Sequence, residues 1–176
     1  MLSYFIYWCS ERRIHVFKKG DKVVYPMHGA GVIEGVEERE VLGKKHMYYI
    51  MKIPVGDMKV MIPKERVDAI GLREIVDKNS VKKVLAILKA EETNVNHNWN
   101  QRYRANLEKI RSGDIYQVAE VIRNLVFLDD EKGLSTGEKK MLENAKQILV
   151  SELVLAKDIE EEQAHEIIND TLLTTS

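Results

Sequence analysis

The hydrophobic pattern of this chain changes period once, across the polar run DKNS (residues 77–80), and that change restricts the fold more than any other feature. From Gly20 to about Ile75 the apolar residues fall in short β-favouring runs: DKVVYP, GAGVIEGVEEREV, KKHMYYIMKIP and MKVMIP, with turns at Gly43 and at Gly56-Asp57. Runs of this length bounded by Gly and Pro predict a small barrel of SH3-like or Tudor-like type. From Asn79 onward apolar residues recur every three or four. Val81, Val84, Leu85 and Leu88 follow a cap at Ser80, and Val118, Val121, Ile122 and Leu125 follow Asp114. Met141, Leu142, Ala145, Ile148, Leu149 and Leu153 follow Ser135 and Glu138, which form a capping-box pattern. Gly113 closes the helix before Asp114, and Asp158 with Glu161 marks a further start. The expected fold class is α+β: a Tudor/SH3-like β-barrel over residues 16–76, then an all-α bundle of about five helices over residues 80–176.

Charge narrows the function classes. With a net charge of -1, the chain is not a globally basic nucleic-acid binder, so any DNA contact must come from a local patch. Residues 80–176 hold 13 Lys+Arg against 17 Asp+Glu, whereas residues 16–79 hold 12 against 10. On the acidic helical half, Arg102, Arg104, Lys109 and Arg111 face only Glu108 within their own segment. That is either a local basic patch or an ordinary solvated helix face, and the sequence alone does not separate the two. The single cysteine, Cys9, permits no internal disulfide and no multi-cysteine zinc site, as expected of a cytoplasmic protein.

No apolar run approaches the roughly 20 residues of a bilayer span. Leu2 to Cys9 is apolar and aromatic, but the basic residues Arg12 and Arg13 come after it, the reverse of a secretory signal. Two readings are open for residues 1–15, a short membrane-surface helix or an extension upstream of a true start at Val16, and the second is the expectation adopted here. Intact mass of the natively expressed protein distinguishes them.

Enzyme chemistry finds no support. HGAG (residues 28–31) is followed by a strand-like run and lacks a P-loop lysine, so it reads as a turn between strands. The five histidines, His15, His28, His46, His97 and His165, show neither HExxH nor a short metal-ligand spacing, and His97 reads as an exposed loop residue. Glu160 to Glu162 suit the first turn of a helix through its dipole. No catalytic residue, metal or cofactor is expected.

Trp99 carries the sharpest question. Trp99, Tyr103, Leu107 and Ile110 lie on one helical face, so the periodicity predicts all four in the core. Against that, Asn98 with Gln101 three residues on can cap the helix, which places Trp99 in the first turn, where a side chain can project past the bundle's end. Free N–H groups and arginines there would suit a phosphate backbone, and an exposed indole could stack on or wedge between bases.

Three long, ordered blocks resemble the CarD/CdnL family of bacterial transcription regulators: FKKGDKVVYPMHGAGVIE (residues 17–34), NWNQRYRANLEKIRSGD (98–114) and GLSTGEKKMLENAKQILVSEL (133–153). The resemblance runs from Val16 to the C-terminus. It implies an N-terminal Tudor-like module, similar to the polymerase-interacting module of transcription-repair coupling factor, that binds the RNA polymerase β subunit. It also implies a helical half that touches promoter DNA, largely without sequence specificity, at the upstream edge of the melted bubble. Carried over by position, the minor-groove tryptophan is Trp99, neighbouring DNA-facing cations are Arg102, Arg104 and Lys139, and the polymerase-contacting positions are Arg39, Val41 and Met61. Met61 stands where some relatives have arginine, as does Gln101, and Phe127-Leu128 makes its helix end less basic than in some relatives. The implied protein is a monomer with no membrane partner that reaches the nucleoid through the polymerase, and Trp99 is expected at the surface. The alternatives are an adaptor or scaffold module without DNA contact, and an enzyme whose site carries no recognisable motif.

Overall fold

A computed structural model describes residues 16–90 and 98–173; the readings made for residues 1–15 and for His97 lie outside it. Strands β1 (Lys22–Tyr25), β2 (Gly29–Val41), β3 (Lys44–Ile53) and β4 (Met58–Pro63) lead through a 3-10 turn (Lys64–Arg66) and a single helical turn α1 (Val67–Ile70) to the short β5 (Arg73–Glu74). All pairings are antiparallel and the sheet order is β4-β3-β2-β1-β5. The β2–β3 hairpin closes through Leu42 and Gly43, both at positive φ, a geometry whose twist matches the flanking strands. A register shift between Ile33 and Gly35 marks a bulge in β2.

One face of this sheet buries Val23, Ile33, Tyr49, Met51, Ile53 and Ile62. Phe17, Val67 and Leu72 close that core, and the Tyr49 hydroxyl accepts a hydrogen bond from the Phe17 N–H at 3.1 Å.

Among the described residues, five helices then follow: α2 (Lys78–Lys89), α3 (Trp99–Arg111), α4 (Ile115–Lys132), α5 (Thr136–Lys157) and α6 (Glu161–Leu173). The α+β class read from the change of period is therefore the class observed. Val81, Val84 and Leu88 of α2 meet Val118, Ile122 and Leu125 of α4 and Leu149 and Leu153 of α5 in one apolar core. The caps at Asn98, Asp114 and Ser135 are those expected. Two expected starts are corrected. Asp77 caps α2 by accepting from the Ser80 N–H at 2.7 Å, so Ser80 lies inside the first turn. Asp158 sits in the left-handed region at φ 57 and ends α5 instead of opening α6.

The sheet and the bundle are joined by polar contacts of short reach. Ser151, in the C-terminal third of α5 and fully buried, accepts from the Ala30 N–H at 2.8 Å and donates to the Ile148 carbonyl at 2.7 Å. This approach requires Gly29, because a Cβ there would lie 2.6 Å from the Ser151 hydroxyl. Gly113, in the α3–α4 turn, plays the same part against Pro26, which a Cβ would meet at 2.8 Å. Beside them Glu152, 0% exposed, takes a two-pronged contact from the Arg73 guanidinium at 2.7 and 2.9 Å and a third bond from the Val76 N–H at 2.9 Å. Arg73 Nε donates onward to the Gly113 carbonyl at 2.7 Å.

Removing one partner of a desolvated pair leaves the other uncompensated, whereas replacing both with apolar groups of similar volume removes the desolvation cost as well. Glu152→Ala is therefore expected to lower the free energy of unfolding by about 3 kcal/mol, and the double change Arg73→Met, Glu152→Leu to recover most of that loss. Urea unfolding of the three proteins checks this: equal losses in the single and double variants would show that the pair itself contributes the stability.

Candidate functional site

The start of α3 and the start of α5 lie side by side at one end of the bundle. Trp99 is the first residue of α3, behind its cap Asn98, and its indole Nε1–H donates to the Ser135 hydroxyl at 3.0 Å. One ring face is stacked on Tyr103, with centroids 5.3 Å apart and planes 26° apart. Gly137 in the first turn of α5 faces the same tyrosine, where a Cβ would come within 3.4 Å of its ring. Despite these contacts Trp99 remains 44% exposed, while Tyr103 and Leu107 are half-buried and Ile110 is buried. The apolar stripe of α3 thus emerges from the core as it approaches the N-terminus. This is the projection expected for Trp99, and it departs from what the periodicity alone predicts.

Ser135 is the hub of this end. As N-cap of α5 it accepts from the Glu138 N–H at 3.3 Å, and its own hydroxyl lies 2.7 Å from the Glu138 carboxylate, which also accepts from the Ser135 N–H at 3.2 Å. The other Glu138 oxygen receives Arg102 Nε at 2.9 Å and Nη2 at 2.6 Å. Arg102 is 7% exposed and Glu138 2%. This corrects the assignment of Arg102 as a DNA-facing cation: its guanidinium turns inward and holds α3 to α5. The proposed basic patch shrinks further, since Lys109 pairs with Glu120 at 2.8 Å and Arg111 with Glu108 at 3.2 Å. Arg104 and Lys139, on the early turns of α3 and α5, are exposed and form no ion pair among the described residues.

A second surface lies on the sheet. Cross-strand register puts Gly35, Ile50 and Met61 side by side on the face opposite the sheet's core, with Arg39 further along β2 opposite His46. Together with Glu34, Val36, Glu37 and Lys59, these residues apart from His46 line an open groove of about 520 Å³. Among the described residues Arg39 pairs with Glu37 alone, at 2.8 Å, both about half exposed, a contact worth little in water. Met61 is 44% exposed, and Val41 is exposed near the hairpin tip beside Leu42. Arg39 and Met61 therefore share one groove, while Val41 lies beyond it.

Sequence reasoning named Ser135 and Glu138 as a capping box without assigning them to the tryptophan. The signal present was their position at a helix start in the block that follows α4. Residues 99 and 135 meet only in the folded chain.

Burial pushes the Glu138 carboxyl up, but hydrogen bonds from Ser135 and Arg102 outweigh it and hold the group below the usual 4.5. A carboxyl lowered in the folded state contributes stability that is present above the unfolded value and disappears as pH falls through the folded one. Glu138→Gln is therefore expected to cost about 2 kcal/mol near neutral pH, where the charge opposite Arg102 is lost. The two proteins should converge as pH falls below the usual carboxyl value and through the lowered one of folded Glu138. Urea midpoints from about pH 7 to about pH 3 test this, and a constant gap across that range would contradict it.

Residues 17–76 match the CarD-like/TRCF RID domain, and residues 83–169 match the CarD C-terminal domain. The Bacillus subtilis (strain 168) protein YdeB, whose name marks it as a candidate transcription factor, is 42% identical over 148 residues, spanning 84% of this chain and 97% of that protein. The solved structure of CdnLNt from Myxococcus xanthus is 42% identical over 36% of this chain and 90% of its own, with a TM-score of 0.32. With both halves matched in order and a relative this similar over nearly its whole length, the chain belongs to the CarD/CdnL family of transcription regulators, which interact with RNA polymerase.

Proposed function

We propose that this protein docks on the RNA polymerase β subunit through residues 16–76 and stabilises the promoter open complex through residues 80–176, with Trp99 as a wedge in the minor groove at the upstream bubble edge. The observation that carries the reading is the 44% exposure of Trp99 at the paired starts of α3 and α5. A helical spacing that favours burial is there overridden by local contacts that hold the indole at the surface. Arg104 and Lys139 supply phosphate contacts, Arg102 is a positioning residue behind the wedge, and Arg39, Val41 and Met61 form the polymerase-facing set.

The charge pattern supports delivery by the polymerase. With Arg104 and Lys139 as the DNA-facing cations, few phosphates are neutralised, so affinity for free DNA is weak and its salt dependence shallow. Docking of the sheet supplies the effective concentration at which a weak wedge acts, without any new contact. A wedge that engages an unstacked step better than closed duplex shifts the balance toward the open state by its differential affinity, about tenfold for each 1.4 kcal/mol.

Open-complex lifetime after challenge with competitor DNA tests the two-part scheme. Wild type is expected to prolong it, Trp99→Ala to fail while still binding polymerase, and Arg39→Glu to fail because polymerase binding is lost. Equal lifetimes with all three would favour an adaptor that never touches DNA.

Salt dependence gives an independent check. On isolated duplex DNA the slope of log K against log salt is expected near −2, from about 0.9 per phosphate contact, and Lys139→Ala should lower its magnitude by about 1. A slope unchanged in that variant would remove Lys139 from the DNA-facing set.

A further inference from the structure

We infer that the Ser135 hydroxyl is a positioning residue for the wedge: it fixes the direction of the Trp99 indole by accepting its N–H, and Glu138 and Arg102 hold that hydroxyl in place. The inference rests on the wedge reading and deepens it.

An aromatic side chain in the first turn of a helix is free to change rotamer, and apolar surface left in water drives it to lie down on the nearest apolar patch. Two contacts of Trp99, and one that seats its neighbour Tyr103, oppose this. Tyr103 supports one ring face at 5.3 Å, Ser135 takes the N–H at 3.0 Å, and Gly137 leaves room for Tyr103 to sit against α5. The serine is itself held from two sides by Glu138, through the backbone N–H at 3.3 Å and the carboxylate at 2.7 Å. The carboxylate in turn is clamped by Arg102, four-fifths of a turn along α3 from Trp99. The closed path runs from α3 to α5 and back, so the indole is oriented by two helix starts at once. Its proton is committed to protein, leaving the ring to act by shape and stacking, which agrees with a wedge that reads little sequence.

Ser135 also caps α5, so its removal alone would confuse two roles. The test therefore changes each end of the hydrogen bond. Trp99 is replaced by β-(3-benzothienyl)alanine, an isostere in which sulfur takes the place of the N–H, and separately Ser135→Ala and Ser135→Thr are made. Open-complex lifetime is measured with polymerase binding and far-ultraviolet circular dichroism as controls, alongside Trp99→Ala.

The isostere and Ser135→Ala are each expected to shorten the lifetime about fivefold relative to wild type, the effect of one hydrogen bond, and Ser135→Thr to restore it. A benzothienyl protein as effective as wild type would overturn the inference while leaving the wedge intact. Loss with Ser135→Ala but not with the isostere would also overturn it, assigning Ser135 to the helix cap alone. If Trp99→Ala is as effective as wild type, the wedge reading itself falls and the positioning role falls with it.

Discussion

The arrangement of this molecule depends on a carboxylate buried in the junction between sheet and bundle. Glu152 faces Arg73, and the Val76 N–H completes its shell. Such a pair contributes little net stability compared with apolar packing, but it tolerates very little displacement, because any sliding of α5 on the sheet would strand a desolvated charge. Ser151 and Gly29 add a contact that closes only at one separation. The junction therefore acts as a register between the surface carrying Arg39 and Met61 and the surface carrying Trp99. Arg73 extends that register to α3 through the Gly113 carbonyl. From there α3 runs 13 residues, about 20 Å, to Trp99. Its far end is fixed to α5 by Arg102, Glu138 and Ser135, so the helix is held at both ends like a strut.

Much of this was legible in the sequence wherever the cause is local. The hairpin around Gly43, the caps at Asn98, Asp114 and Ser135, and the stripes of α4 and α5 all follow from contacts between residues fewer than about five apart, which is the range over which turn and cap chemistry operates. Asp77 was missed because Ser80 three residues later offers a cap of equal quality, and the local patterns do not rank them. Asp158 followed by Glu161 has the spacing of a helix start, yet the left-handed backbone at φ 57 ends the preceding helix there.

Arg102 failed for a different reason. Its own segment gives it no acidic partner, and the partner it has lies 36 residues away on α5. Once α3 and α5 are adjacent the pair is enforced, and a residue that reads as a surface cation becomes an internal strut. Glu152 was open to the same reasoning in reverse. It sits in ILVSELVL, where a serine and a glutamate interrupt an otherwise apolar face, and a buried carboxylate in such a run requires a cation from elsewhere. A residue's place in a matched block fixes its position on the helix, whereas the direction its side chain turns is set by the helix packed against it.

The partial exposure of Trp99 also limits what it could do to DNA. Large aromatic side chains bury about 150–250 Å², so the 44% still open corresponds to roughly 100 Å², or about 2–3 kcal/mol if a partner covered all of it. Unstacking one base step costs a few kcal/mol, about the same amount. On the proposed reading, then, the wedge gains too little to open closed duplex by itself. At a step already parted by the polymerase that cost has been met, and nearly all the gain from covering the indole is available to keep the edge apart. The same balance explains why orientation matters. On that reading an indole that collapsed onto the bundle would forfeit its open surface before meeting DNA, and a hydrogen bond of about 1 kcal/mol at Ser135 would preserve an interaction two or three times its own size.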